Sequence, residues 1–122
     1  MPRPQTIYVD RDRMLLGINQ ATVETIAELE QSCRARRAAG DPFYGKDGVE
    51  LDEVRNFGGI RIDFPRFVGK FLTDSERLRH QQALRAMEAA GLVLLDGIKA
   101  RRVKLTIAGL ARLNELEAAG HV

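Results

Sequence analysis

The chain of 122 residues has one cysteine, Cys33, which excludes an internal disulfide and makes a reducing cytoplasm the expected location. Long apolar runs are missing too. Stretches such as Leu92 to Leu95 fall far short of the ~20 residues that span a bilayer, so no membrane association is expected. Behind Met1-Pro2-Arg3-Pro4-Gln5 there is no apolar stretch that reads as a secretory signal. Metal-ligand spacing is lacking, because His80 and His121 are far apart with no cysteine or second histidine near either. No Ser/His/Asp set or carboxylate pair is readable, so neither enzymatic activity nor a cofactor is expected. Internal repeats and low-complexity segments are also lacking.

Two segments imitate ligand sites and fail on chemistry. Gly40 to Asp47 runs close to the phosphate-loop pattern, but Asp47 stands where a magnesium-binding hydroxyl is needed and would repel phosphate. The acids Asp41, Asp47, Glu50, Asp52 and Glu53 lack calcium-loop spacing and read as an acidic surface.

What is present is a 44% hydrophobic, 30% charged composition, enough for one domain with a core. The net charge of +2 is too mild to indicate nucleic acid by itself. Its distribution says more. Basic residues crowd into Arg34–Arg37, Arg77–Arg85 and Lys99–Lys104, the local stripes expected of a phosphate-binding face.

Residues 1–18 read as an N-terminal arm and lead-in, with Pro2 and Pro4 at its start and an undecided extended or helical piece over 5–16. Residues 19–122 read as a single domain. A first helix is expected over 19–39, capped by Asn19, with Val23, Ile26, Leu29 and Cys33 on one face and Gly40 at its end. Cys33 on that stripe is most simply a small core residue. The glycine-rich segment 40–59 reads as an irregular insertion, with room for a short helix over Val49 to Phe57.

Ile60-Arg61-Ile62 alternates as a very short strand. A helix follows, with Asp63 as cap, Pro65 in the first turn, and Phe64, Phe67, Val68, Phe71 and Leu72 on one face. Thr73-Asp74-Ser75-Glu76 forms a capping box that opens another helix almost at once, running to about Ala90. Residues 92–96 and 102–105 read as strands around the turn Gly97–Arg101, and Thr106 caps a last helix carrying Ile107, Leu110, Leu113 and Leu116.

Residues 84–110 resemble the MarR/PadR group of bacterial winged-helix transcription regulators. The resemblance rests on the Leu84–Met87 core pair, on Gly91-Leu92-Val93 leading into a basic hairpin, and on Leu105-Thr106 followed by Gly109. It extends over residues 63–113. The sequence departs from the group at His80, where an apolar residue is usual, in the missing turn glycine, and at outward-facing Leu78.

The resemblance implies a mainly α fold with a small β-hairpin (α+β), a winged helix-turn-helix. It also implies a homodimeric, sequence-specific binder of double-stranded DNA that regulates transcription. The recognition helix would be 75–90 and the basic wing 97–104. With Ala83, Leu84, Met87 and Ala90 inward, Arg79, Gln81, Gln82 and Arg85 face out and have the donors and acceptors to read base edges. Ser75 and Arg77 sit near the helix start, suited to phosphate. Lys99, Arg101 and Arg102 are the wing's phosphate or minor-groove contacts. Dimer surfaces are expected on the helices at 19–39 and 106–119. The rival reading is a winged helix that serves as a protein–protein module in a larger assembly.

Overall fold

The computed structural model describes residues 9–41 and 45–120. The proline-bearing arm at residues 1–8 and His121 lie outside the described residues. The chain is mainly α-helical with one small antiparallel sheet, an α+β arrangement.

The first helix, α1 (Arg11–Ala38), starts well before Asn19. Asp10, not Asn19, is its cap, and the Asp10 carboxylate accepts from the Arg13 amide at 3.0 Å. Residues 11–18 are therefore part of the core and not a lead-in. Met14, Leu15, Ile18 and Ala21 form its buried face. The expected stripe further along is only partly covered: Ile26 and Leu29 pack at the edge of the core, Cys33 is half-buried, and Val23 is 59% exposed.

The short helix allowed over Val49 to Phe57 is present and starts earlier, as α2 (Gly45–Asn56), which corrects the reading of 40–59 as an irregular insertion. Its apolar content is too low to announce a helix, since only Val54 reaches the core. Polar contacts hold it against the second half of α1. Asp47 accepts from Ser32 Oγ and pairs with Arg36 Nε at 3.1 Å, and Arg55 pairs with Glu30.

The strand β1 (Ile60–Arg61) leads into α3 (Phe64–Val68), capped by Asp63, whose side chain accepts from the Arg66 amide. This helix is shorter than its apolar spacing suggests. Gly69 adopts φ 74°, a left-handed value that favours glycine, and ends the helix. Phe71 therefore falls outside it and is 96% exposed, while Leu72 still packs at the core edge. Phe67 is fully buried, worth about 1.5–3 kcal/mol for a side chain of this size.

α4 (Asp74–Ala89) follows after five residues, with the capping box formed in both directions. The Glu76 amide donates to Thr73 Oγ1 at 3.2 Å, and the Thr73 amide donates to Glu76 Oε1 at 3.1 Å. Ala83, Leu84 and Met87 are buried as expected, but Ala90 is the exposed C-cap. His80 is 4% exposed. Its Nδ1 donates to the Glu76 carbonyl at 2.7 Å and its ring lies against Phe64, so an imidazole is accommodated where an apolar side chain would also fit.

β2 (Val93–Leu95) and β3 (Arg102–Leu105) form the hairpin, and β1 pairs with the other edge of β3 to give the order β1-β3-β2. The register sets Ile60 opposite Val103 and Val93 opposite Leu105, which turns Ile60, Val93 and Val103 to the core. α5 (Ile107–Ala118) is capped by Thr106 and buries Leu113 and Leu116, while Ile107 is 88% exposed. One core cluster draws on all of these elements, from Met14 to Leu116. Among the described residues, no helix is long and apolar enough to cross a membrane.

Candidate nucleic-acid interface

The capping box fixes where α4 starts, and the buried positions 80, 83, 84 and 87 fix its rotation. The opposite stripe, Leu78, Gln81, Gln82 and Arg85, therefore faces away from the core at helical spacing. With Arg77 it forms one wall of an open groove of about 1150 Å³. The turn between β2 and β3 supplies the facing wall through Ile98, Lys99, Ala100 and Arg101, and residues 61–65 with Leu84 and Leu95 contribute the rest.

Charge in this groove is one-sided. Arg61, Arg77, Arg85, Lys99 and Arg101 line it, against the single carboxylate of Asp63, which is engaged in capping α3. Among the described residues, no hydrogen bond or ion pair engages the side chains of Arg77, Lys99 or Arg101. Cations held in a concave wall reinforce one another and attract anions more strongly than the same charges spread over a convex surface.

The turn that carries Lys99 and Arg101 is fixed at both ends. Asp96 Oδ1 accepts from the backbone amides of Arg101 at 2.8 Å and Arg102 at 2.7 Å. Desolvation opposes the charge on Asp96, but the Arg102 and Arg101 amides outweigh it and hold the carboxyl below its ordinary value. From the other side, Arg85 Nη2 donates to the carbonyls of Gly97 at 2.8 Å and Ile98 at 2.5 Å, while Nη1 pairs with Glu88 at 3.0 Å. Arg85 thus ties the turn to α4, and its donors are not all free to read bases.

Not every residue expected at the interface lies in this groove. Arg77, Gln81, Gln82, Arg85, Lys99 and Arg101 do. Ser75 and Arg79 are exposed on α4 outside the groove lining, with Arg79 Nη1 donating to Gln82 Oε1 at 3.3 Å. Arg102 corrects the expectation of a wing contact, because it is committed elsewhere. Its guanidinium donates to Glu50 Oε2 at 2.7 Å and to the Gly59 carbonyl at 2.8 Å, and its side chain is only 14% exposed. The Glu50 hydrogen bond raises the Arg102 pKa, and the Arg102 hydrogen bond lowers that of Glu50 against desolvation.

Sequence reasoning missed Arg61 and Ile98. Arg61 sits in a short alternating run whose outward residue reads as ordinary strand surface, and only the β1–β3 pairing brings it beside the groove. Compared with known protein families, curated proteins and solved structures, the chain matches none.

Proposed function

We propose that this chain is a winged-helix DNA-binding protein, a transcription regulator that reads duplex DNA with α4 and steadies it with the β2–β3 turn. The observation that carries this reading is the groove itself: five cations around one concave surface, with an Arg/Gln stripe on one wall and a basic turn on the other. Between a major groove and the neighbouring minor groove runs a phosphate backbone. A helix seated in the first and a hairpin turn reaching the second enclose that backbone between them, where Arg77, Lys99 and Arg101 neutralise it. Gln81 on the outer stripe has the paired donor and acceptor that match adenine, and Gln82, whose Oε1 accepts from Arg79, offers its amide donors.

One module touches few base pairs, so the protein binds as a homodimer on a two-fold site with half-sites ~34 Å apart. Ile107 and Leu110 on α5 and Val23 on α1 are the exposed apolar side chains that favour pairing through these helices.

The test is a mobility shift with random-sequence duplex at low salt, comparing the native protein with Arg77→Ala and Arg101→Ala. Each variant is expected to weaken binding and to lower the salt slope by about one. Unchanged binding when Arg77→Ala and Arg101→Ala are combined in one chain would show that the groove is not the contact surface.

A further inference from the structure

Ile98 does not fit a turn built only to carry charge. Hairpin tips favour Gly, Asn, Asp and Ser, which satisfy the backbone or tolerate its angles. Here Gly97 takes the positive φ of 96°, and the next residue is a β-branched side chain left 96% exposed. Its surroundings are not those of an incidental surface residue. The Ile98 carbonyl is held by Arg85, the far end of the turn is held by Asp96, and Lys99 and Arg101 stand on either side of Ala100 just beyond it. The side chain also lines the basic groove.

An exposed apolar group on a fixed hairpin tip, followed directly by two phosphate-seeking cations, fits the stacked interior of a base step reached from the minor groove, where hairpin tips dock. We infer that Ile98 is a wedge that inserts at a flexible pyrimidine–purine step and partly unstacks it, so that the protein selects its site by deformability as well as by base edges. The inference rests on the groove facing DNA. The chemistry follows from what is fixed and what is exposed. The Arg85 and Asp96 hydrogen bonds pre-order the turn, so little conformational freedom is lost on insertion. Lys99 and Arg101 hold the flanking phosphates while the step opens, and TA and CA/TG steps open at the lowest cost.

The experiment uses the whole chain and a duplex it selects from a random-sequence library, with 2-aminopurine placed in turn at each purine. Binding is expected to raise 2-aminopurine emission at one step in each half-site. Ile98→Ala should still bind, about five- to tenfold more weakly and with an unchanged salt slope, and should lose the emission rise. Ile98→Phe should keep the rise. Both substitutions lie on an exposed tip, so far-UV circular dichroism should stay the same. If Ile98→Ala unstacks the step as fully as the native chain, or if the native chain binds without any rise, the wedge is wrong and the groove reading stands. If the native chain binds no duplex at low salt, both fall together.

Discussion

Gly17 is where α1 crosses α3, and replacing it by alanine tests the packing that sets the whole site. In most helix interiors glycine-to-alanine is favourable by up to about 1 kcal/mol, because alanine loses less backbone freedom. Here a Cβ on residue 17 would come within 1.8 Å of the Phe67 carbonyl oxygen and 2.6 Å of its carbon. An ordinary carbon–oxygen contact is about 3.3 Å, so roughly 1.5 Å must be found by moving backbone against backbone. That same oxygen accepts from Arg13 Nη1 at 3.1 Å, so α3 cannot move away without straining this bond and dislodging Phe67.

Overpacking of this kind costs about 1–3 kcal/mol, and a rigid obstacle puts it at the upper end. After the propensity gain, Gly17→Ala should lose about 2 kcal/mol, a fall in Tm of about 8 °C for a chain of this size. Thermal unfolding followed by circular dichroism at 222 nm reads it directly. A Tm that is unchanged or higher would mean that α1 and α3 are not in backbone contact at residue 17, and the placement of α3 and α4 would have to be redrawn.

Glu50→Gln should cost no more than about 1 kcal/mol at neutral pH, since solvent screens the partly open Arg102 pair. Because the folded pKa of Glu50 lies below its ordinary 4.5, its contribution is complete above that value and is lost as pH falls through the lowered one. The Tm difference between native and variant should therefore shrink below about pH 4.5, and a difference that persists in acid would contradict the pairing. Thr73→Ala should remove one half of the α4 capping box and cost about 1 kcal/mol, measured by urea unfolding. No loss would mean that the start of α4 is not fixed by Thr73.

The elements around the site were legible because local chemistry dictates them. Thr73 and Glu76 announce the start of α4, Thr106 caps α5, and the alternation of 102–105 with a glycine-bearing turn gives the hairpin. Where tertiary contacts decide, the sequence is silent or misleading. The apolar spacing from Phe64 to Leu72 suggests a helix of nine residues, but the left-handed Gly69 ends it early and leaves Phe71 outside. α2 is held by Asp47, Arg36, Glu30 and Arg55 and not by an apolar stripe, so no periodicity shows that the short helix allowed over Val49 to Phe57 begins at Gly45. The same helix supplies Glu50, which withdraws Arg102 from the groove, and nothing in the basic run 99–104 distinguishes Arg102 from its neighbours. Arg61 joins the groove only through strand pairing across more than forty residues of chain.

Affinity for duplex DNA as a function of salt tests the central claim most directly. If Arg77, Lys99 and Arg101 each neutralise a phosphate, while Arg61 stays paired with Glu50, log K should fall linearly with log [salt] with a slope of about −3 per protomer. Duplex binding that is absent at low salt, or that does not change between low and moderate salt, would contradict it.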